Sequence, residues 1–477
     1  MNKRTFLRTA FSLLPAIVAI LAVSGCVRKP GDRTPDGRVI VSYWEKWTGF
    51  EGDAMQAVVD DFNKSQNRIM VVRLPVSSID RKMLMAAAGG NPPDVAGLWS
   101  MNMAMYSEKG ALTPLNKYLA KAGITKTNYI PVFWDLCEHK GFMWGLPSTP
   151  ASLALHWNKR MFREAGLDPD VPPKSLAELD AMAEKLTVVE IERNGKKVRV
   201  HYPDLTPAEK EARKFDIIQL GFSPREPGWY DQMWCYWFGG RLWDGDRKIT
   251  ANSPEVVNAM TWYVSYSKKF GLDSMRTFGA TFGNFSSPQN PFLAGQIAME
   301  IQGVWMYNFI SKYSPGMEWG AAPFPAQDPK KTPLVTVAEC DVLAIPKGAR
   351  HPDEAFEFIK YVNTQGPMEK LCLGQRKFSP LATISREFIK KHPNPYIETF
   401  IELARSPYAL YVPRISIWNE YTEEIGVAYG NAFDQRVSPQ EALDTVQSRV
   451  QWKFDRVLRR WDKIKDERIK EWADDTR

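Results

Sequence analysis

The chain has 477 residues, which is too long for one ordinary domain and suits two or three. Hydrophobic residues make up 44% and charged residues 25%, so the composition excludes a largely disordered chain and a membrane protein with many spans. The net charge of +7 is mild, and basic and acidic residues alternate from Lys453 to Arg477, which favours a solvated helix face and no nucleic-acid partner.

The first 26 residues have the features of an export leader. An apolar stretch at residues 10–23 follows a basic start, as in secretory signal peptides; the basic residues are Lys3, Arg4 and Arg8. The letters VSGC, which end at Cys26, resemble the bacterial lipobox. This resemblance implies that residues 1–25 are a lipoprotein signal peptide, that Cys26 is lipidated, and that residues 26–38 form a flexible tether. The start also resembles a twin-arginine motif with Lys3 in place of the first Arg, so the export route is open.

Strands and helices alternate after the tether. We predict strands at residues 39–43, 69–74 and 94–98 and helices around residues 55–62, 79–88 and 102–109. This order implies a parallel sheet with helices on both faces. Ligands of such sheets bind beyond the carboxyl ends of the strands, so the loops after Tyr43 and Leu98 are candidate binding loops.

The second half of the chain is richer in helices. Helices are predicted at residues 174–186, 254–270, 353–362, 395–404 and 439–472. Residues 188–202 alternate apolar and polar side chains around Asn194-Gly195, which predicts a β-hairpin. Later strands at residues 297–302 and 340–345 indicate that the chain returns to the first sheet.

Signatures of catalysis and metal binding are absent from the sequence. The five His residues are isolated, and the chain contains no HExxH, CxxC, GxxxxGK[ST], GxGxxG or GxSxG motif. We therefore predict no catalytic residue, no metal and no cofactor. Four cysteines follow the leader at spacings that match no compact disulfide framework, so no pairing is predicted for Cys137, Cys235, Cys340 and Cys372.

Four segments carry a family resemblance. Residues 291–305, PFLAGQIAMEIQGVW, resemble a motif of the extracellular solute-binding proteins of carbohydrate ABC importers, the maltose-binding-protein-like class. Residues 91–95, 153–162 and 341–361 resemble further motifs of that class in the same order, and the likeness spans about residues 39–450. Trp157 stands where Tyr is usual and Val304 where Pro is usual.

The resemblance implies an α/β fold of two lobes, each a mostly parallel sheet flanked by helices, joined by hinge crossovers. Residues 39–146 and 292–338 are expected in the first lobe, and residues 147–291 and 339–477 in the second. The implied function is capture of a sugar or oligosaccharide between the lobes and its delivery to an ABC permease and ATPase. The implied location is the outer side of the cell membrane, where the lipid on Cys26 anchors the protein.

Aromatic and polar side chains near the predicted loops are the candidate ligand contacts. A sugar offers a face of C–H groups, which an indole covers, and a rim of hydroxyls, which carboxylates, amides and guanidinium groups bind. In the first lobe the candidates are Trp47, Trp99, Trp305, Gln302 and Glu45. In the second lobe they are Trp229, Arg414 and Trp418, whereas Trp234 and Trp237 are spaced like a buried helical stripe. Of Glu339 and Asp341, one is expected to bind ligand and the other to face solvent.

Two other functions are compatible with the sequence. The same scaffold could bind a polyamine or a peptide. A lipid-anchored glycoside hydrolase would also use Trp platforms, with two carboxylates of different pKa.

Overall fold

The computed structural model describes residues 32–229 and 231–475. The predicted signal peptide, Cys26 and the first part of the tether lie outside these residues. No helix within the described ranges is both long enough and apolar enough to cross a membrane.

Strands of the described residues form one mixed sheet and one short hairpin. They are β1 (Val39–Glu45), β2 (Ile69–Pro75), β3 (Val95–Trp99), β4 (Glu138–His139), β5 (Phe142–Met143), β6 (Leu146–Asn158), β7 (Val188–Arg193), β8 (Lys196–His201), β9 (Asp216–Phe222), β10 (Ile297–Gly303), β11 (Trp319–Ala322), β12 (Thr336–Ala344) and β13 (Ala409–Leu410). The large sheet has the order β2-β1-β3-β12-β6-β10-β9-β7-β8, with β11 beside β6 and β13 beside β12.

The α-helices cover both faces of this sheet. They are α1 (Gly49–Ser65), α2 (Ile79–Ala88), α3 (Met103–Glu108), α4 (Asn116–Ala122), α5 (Pro131–Cys137), α6 (Lys159–Glu164), α7 (Leu176–Leu186), α8 (Pro207–Ala212), α9 (Pro254–Phe270), α10 (Leu272–Gly279), α11 (Met306–Tyr313), α12 (Pro352–Val362), α13 (Gln365–Gln375), α14 (Arg386–Lys391), α15 (Ile397–Arg405), α16 (Trp418–Phe433) and α17 (Pro439–Asp474).

The N-terminal alternation of strands and helices produces the predicted parallel pairing. β1 pairs in parallel with β2 on one side and with β3 on the other. In α1, Met55, Val58, Val59 and Phe62 are buried, as their spacing along the helix predicts. The carboxyl ends of β1 and β3 therefore lie side by side and bring their following loops together.

Two long strands pass through both halves of the molecule. β6 pairs with β12 through residues 146–152 and with β10 through residues 153–157. All thirteen residues of β6 are buried. β12 pairs antiparallel with β3 through residues 341–344 and with β6 on its other edge. These strands are the crossovers that join the two lobes.

Two hydrophobic cores define the lobes. One core contains the strands β1, β2 and β3 and extends through residues 342–404. The other contains β7 and β9 and extends through α9 and α16. The predicted boundary at residue 339 therefore differs from the packing, because β12 runs into the first core and the helices α12 to α15 stay there. Likewise, Ile297, Met299 and Ile301 of β10 pack in the second core.

The last helix, α17, connects the lobes a second time. Its 36 residues span about 54 Å, and Val446, Val450 and Phe454 in its first half pack in the second core. Trp472 near its end packs in the first core, where its ring lies 4.8 Å from that of Trp144. Both lobes thus hold one end of the same helix.

Candidate functional site

A cavity of about 790 Å³ lies between the two lobes at the crossover strands. Its lining includes eight aromatic side chains: Trp47, Phe50, Trp99, Trp229, Phe285, Trp305, Phe309 and Trp418. The volume falls within the range of sites for small organic ligands, which is about 300–1,000 Å³. Seven of the ten predicted ligand contacts line this cavity: Trp47, Trp99, Trp229, Trp305, Glu339, Asp341 and Trp418.

Trp47 lies in the loop after β1, and Trp99 is the last residue of β3, so both lie at the carboxyl ends of neighbouring strands. Their ring centroids are 6.2 Å apart and the rings meet edge to face. The indole nitrogen of Trp47 donates to Asp341 Oδ2 at 2.6 Å, which fixes the ring. Both side chains are half-buried, so each retains surface for a ligand.

Trp305 lies between β10 and α11, where it contacts both hydrophobic cores. Its ring packs over Gly303, where a Cβ atom would lie only 2.5 Å from the ring carbons, so glycine makes room for the indole. Its indole nitrogen donates to Gln302 Oε1 at 3.0 Å. Gln302 and Gly303 of the motif therefore fix the orientation of the Trp305 indole, which lines the cavity.

The second lobe contributes Trp229 and Trp418. The ring of Trp229 meets Phe285 at a centroid distance of 4.2 Å, and Phe285 lies 5.6 Å from Phe309. Trp418 is the first residue of α16 and packs in the second core with only 4% of its surface exposed. The cavity therefore has aromatic walls from both lobes.

Two ion pairs and one hydroxyl lie beside the aromatic walls. We call these five residues the polar floor: Lys46, Glu51, Thr149, Asp341 and Lys377. Asp341 Oδ1 lies 3.0 Å from Lys46 Nζ, and Asp341 Oδ2 accepts from Thr149 Oγ1 at 2.7 Å. Lys377 Nζ lies 3.0 Å from Glu51 Oε1. Burial alone would raise the pKa of Asp341, but the charges of Lys46 and Lys377 together with the hydrogen bonds from Thr149 and Trp47 lower that pKa.

Glu339 also faces the cavity, and no other described residue forms a hydrogen bond or ion pair with its carboxyl group. Burial and, second, the neighbouring Asp341 raise the pKa of Glu339 to about 7. We expected one of these two carboxyls to bind ligand and the other to face solvent, whereas the structure places both in the cavity lining. Residues two apart on a strand point to the same side, so both line the cavity.

Two predicted contacts lie behind the cavity wall. Gln302 is fully buried and holds the Trp305 indole, so its position is that of a supporting residue. Glu45 is 2% exposed, accepts a hydrogen bond from the Tyr43 hydroxyl and packs against Gly97 within the sheet.

Arg414 lies in a different place from the one that we expected. Its guanidinium donates to the backbone oxygens of Asp135 and Glu138 at 2.7 and 2.8 Å. It lines a separate cavity of about 460 Å³ beside His139 and Trp461. Arg414 therefore ties the two lobes together through main-chain carbonyls and is absent from the aromatic cavity.

Sequence reasoning missed several lining residues. Phe50 and Glu51 follow Trp47 within four residues, in the first turn of α1, so their closeness to a predicted contact could have indicated them. Lys377 follows α13, and Phe285 and Phe309 come from segments far apart in sequence. Nothing in the local pattern connects these three to the cavity, because only the tertiary fold brings them together.

Chemically, the cavity offers flat apolar surfaces above a rigid polar floor. Indole rings can cover an apolar ligand face, and the oxygens of Glu339 and Asp341 can accept hydrogen bonds from hydroxyls. No group of His, Cys, Asp and Glu that could hold a metal ion is present within residues 32–229 and 231–475. The four cysteines of these ranges have free, buried thiols.

Comparison with known proteins identifies one matching family. The model described as bacterial extracellular solute-binding protein matches residues 51–369, which cover more than half of the chain. A protein named CpMnBP1, solved with mannotriose bound, has the same fold at a TM-score of 0.71 with 28% sequence identity. That similarity covers 86% of this chain and 99% of CpMnBP1.

Two curated relatives are more distant or match over a shorter segment. The maltotriose-binding protein of Pyrococcus abyssi (strain GE5 / Orsay) is 20% identical over 332 residues, which are 69% of this chain and 63% of that protein. The sn-glycerol-3-phosphate-binding periplasmic protein of Rhizobium meliloti (strain 1021) is 27% identical over 153 residues, which are 31% of this chain and 36% of that protein. The matches thus span less than two thirds of each relative.

Proposed function

Because the chain belongs to the family of bacterial extracellular solute-binding proteins, we propose that it captures a sugar or oligosaccharide for an ABC importer. One observation carries this proposal: five Trp and three Phe side chains from both lobes line a single cavity with a polar floor. The mannotriose bound to CpMnBP1, which is similar over most of this chain, supports the same class of ligand.

The cavity suits an uncharged ligand. Its lining contains four acidic side chains, Glu51, Glu339, Asp341 and Glu423, and one basic side chain, Lys377, and the Lys46 ammonium pairs with Asp341 behind it. Lys377 is already paired with Glu51 and lies 3.9 Å from Asp341. A phosphate or a uronate would meet this acidic excess, whereas a neutral sugar would meet hydrogen-bond acceptors and aromatic faces.

Closure of the lobes follows from the position of the cavity. A ligand shifts the balance of open and closed forms only through contacts that differ between them. A sugar that touches Trp99 of the first lobe and Trp229 of the second would make its full contacts only when the lobes close. Bending of the crossover strands β6 and β12 would permit this hinge motion.

The protein would work at the cell membrane with transporter subunits. We propose that residues 1–25 direct export and that the lipid on Cys26 holds the protein on the outer side of the membrane. The closed, loaded form would then deliver its sugar to the permease of an ABC importer, which its ATPase drives.

One observation favours a second function, that of a glycoside hydrolase. Glu339 and Asp341 have pKa values shifted in opposite directions, as an acid and a base of such an enzyme would. However, the Asp341 oxygens are already engaged by Lys46, Thr149 and Trp47. A carboxylate bound in this way is poorly placed to attack a sugar or to activate water.

A thermal-shift screen tests the proposal. Manno- and malto-oligosaccharides, glycerol 3-phosphate, polyamines and peptides would each be added to the protein. We expect a neutral oligosaccharide to raise the melting temperature, since ligand at one hundred times its Kd stabilises the folded state by about 2.7 kcal/mol.

Chromatography of the same mixtures separates binding from hydrolysis. We expect the added oligosaccharide to be recovered intact. Release of shorter sugars would show a hydrolase instead. Stabilisation by a polyamine, a peptide or glycerol 3-phosphate, and by no sugar, would show that the ligand class is wrong.

A further inference from the structure

The outer surface of α17 carries a concentrated basic face. Basic and acidic residues alternate along this part of the sequence, and four exposed cations gather on one side of the helix. Asp462 lines the same surface cavity as these cations, and Glu467 lies one turn beyond Lys463. Trp452, Arg456, Arg459, Arg460 and Lys463 follow one another at helical spacing and are all exposed, and we call these five residues the basic face. Trp452 is 56% exposed, which is unusual for so large an apolar ring.

The positive charges of this face are not neutralised by the described residues. Asp462, the carboxylate nearest in sequence to Lys463, pairs instead with Arg247 at 2.7 Å and with Lys465 at 3.7 Å. The guanidinium of Arg456 lies 4.9 Å from the Trp452 ring centroid and makes no ion pair within the described ranges. The face thus presents four unpaired cations beside one exposed indole.

This combination of side chains suits the surface of an anionic bilayer. Clusters of Lys and Arg are attracted to anionic phospholipid headgroups, and the attraction adds up with each cation. Trp is enriched at the boundary between headgroups and hydrocarbon, because its ring is apolar and its N–H is polar. Side chains three and four residues apart lie on one side of a helix, so such a row can meet one surface together.

The start of the described chain lies on the same side of the first lobe as the end of α17. Asp32 forms an ion pair with Arg350 at 2.6 Å. Lys347, which precedes Arg350 by three residues, forms an ion pair with Asp475 at 2.7 Å. Cys26 precedes Asp32 by six residues, which can span at most about 20 Å. A lipid on Cys26 would therefore bring the bilayer close to the C-terminal end of α17, which lies about 18 Å along the helix from Lys463.

We propose that the basic face of α17 docks on the anionic phospholipid surface of the membrane. Together with the lipid on Cys26, it would attach the protein at a second point and fix the orientation of the two lobes on the bilayer. The closeness of the bilayer rests on the proposed lipidation of Cys26, whereas the charge and exposure of the basic face do not depend on it.

Vesicle binding of the chain from residue 27 onward tests this proposal, because that chain carries no lipid of its own. We would compare flotation with vesicles of phosphatidylcholine alone and of phosphatidylcholine mixed with phosphatidylglycerol, at low and at high salt. We expect binding to the mixed vesicles only, weakened by salt.

A fourfold variant and a matched control identify the surface that binds. Replacing the four cations of the basic face by Gln should lower binding at least about tenfold. The control replaces four exposed lysines of the second lobe by Gln and should bind like the wild type: Lys174, Lys185, Lys196 and Lys214. Both variants should keep their sugar binding, so a failure here is distinct from a failure of the proposed function.

Several outcomes would overturn the proposal. Equal binding of the two variants would show that overall charge, and not the basic face, attracts the protein. If the wild type bound equally to vesicles with and without phosphatidylglycerol, anionic lipid would be excluded as the partner of the basic face. If the fourfold variant instead lost binding only to the importer's permease, an acidic protein surface would be the partner and the bilayer would not.

Discussion

At the scale of single residues, Trp305 has the position expected of a central ligand contact. It contacts both hydrophobic cores, and its indole nitrogen is held by Gln302. We predict that Trp305→Ala weakens sugar binding at least about tenfold, or about 1.4 kcal/mol, because an indole face that lines the cavity between the lobes is lost. Calorimetric titration would measure this. Trp452→Ala, which removes an exposed indole outside the cavity, is the control and should leave affinity unchanged; an equal loss in both would contradict the prediction.

The unpaired Glu339 gives a prediction about pH. Its pKa is raised from an ordinary value of 4.5 to about 7, so the folded state holds its proton more tightly than the unfolded state does. The stability that this proton provides is full below about pH 4.3 and is lost as the pH rises towards 7. Relative to Glu339→Gln, the wild type should therefore become less stable between pH 5 and pH 8.

Thermal unfolding at the two pH values would measure this difference. Glu402→Gln removes an exposed carboxyl from α15 and is the matched control, which should differ from the wild type equally at both pH values. If the stability difference between Glu339→Gln and the wild type were also the same at both pH values, the raised pKa of Glu339 would be contradicted.

The sequence predicted candidate residues best where a strand end placed them. Trp47 and Trp99 follow predicted strands, and Trp305 follows a strand within a recognised motif. Arg414 was misplaced because the carbonyls that hold it, those of Asp135 and Glu138, come from a distant segment. Glu45 was misplaced because its carboxyl turns back into the sheet, where it accepts from the Tyr43 hydroxyl and packs against Gly97. Side-chain type shows what a residue can bind, but the fold decides which partner reaches it.

At the scale of elements, α17 has two anchors in different lobes. Trp472, only 2% exposed, packs edge to face on Trp144 and stacks on Trp461 at 5.6 Å. Truncation of a buried Trp to Ala costs about 3–5 kcal/mol. We predict that Trp472→Ala releases the end of the helix from the first lobe while its first half stays packed.

Hydrogen exchange would distinguish the two halves of α17. Amides near residue 470 should lose protection in Trp472→Ala, whereas amides near Val446 and Val450 should keep it. Trp452→Ala again serves as a control, because its ring contributes to neither anchor. Equal loss of protection along the whole helix would show that α17 folds as one unit on a single lobe.

The sequence indicated most elements but missed the strand on which the site depends. The helix predicted at residues 254–270 coincides with α9, and the hairpin around Asn194-Gly195 forms β7 and β8. No strand was predicted for β6, which contains Pro147 and Pro150, residues that lack the backbone N–H that a ladder uses and are typical of loops. The two-lobed class came from motif resemblance and could not be obtained from periodicity alone.

At the scale of the whole molecule, one sheet runs through both lobes and the cavity lies where they meet. β6 and β12 each carry polar groups into that cavity, Thr149 from the first and Asp341 from the second. A ligand that forms hydrogen bonds with Thr149 or Asp341 would contact the crossover strands directly. The predicted lobe boundaries failed at β12 because a strand that crosses between lobes belongs to both.

The crystal structure of the protein with the oligosaccharide that binds most tightly in the screen tests this account most directly. We predict sugar rings against Trp305 and Trp99 on one side and Trp229 on the other, with hydroxyls bonded to Glu339 or Asp341. A sugar bound elsewhere, such as in the separate cavity beside Trp461, or a sugar touching one lobe only, would contradict the account.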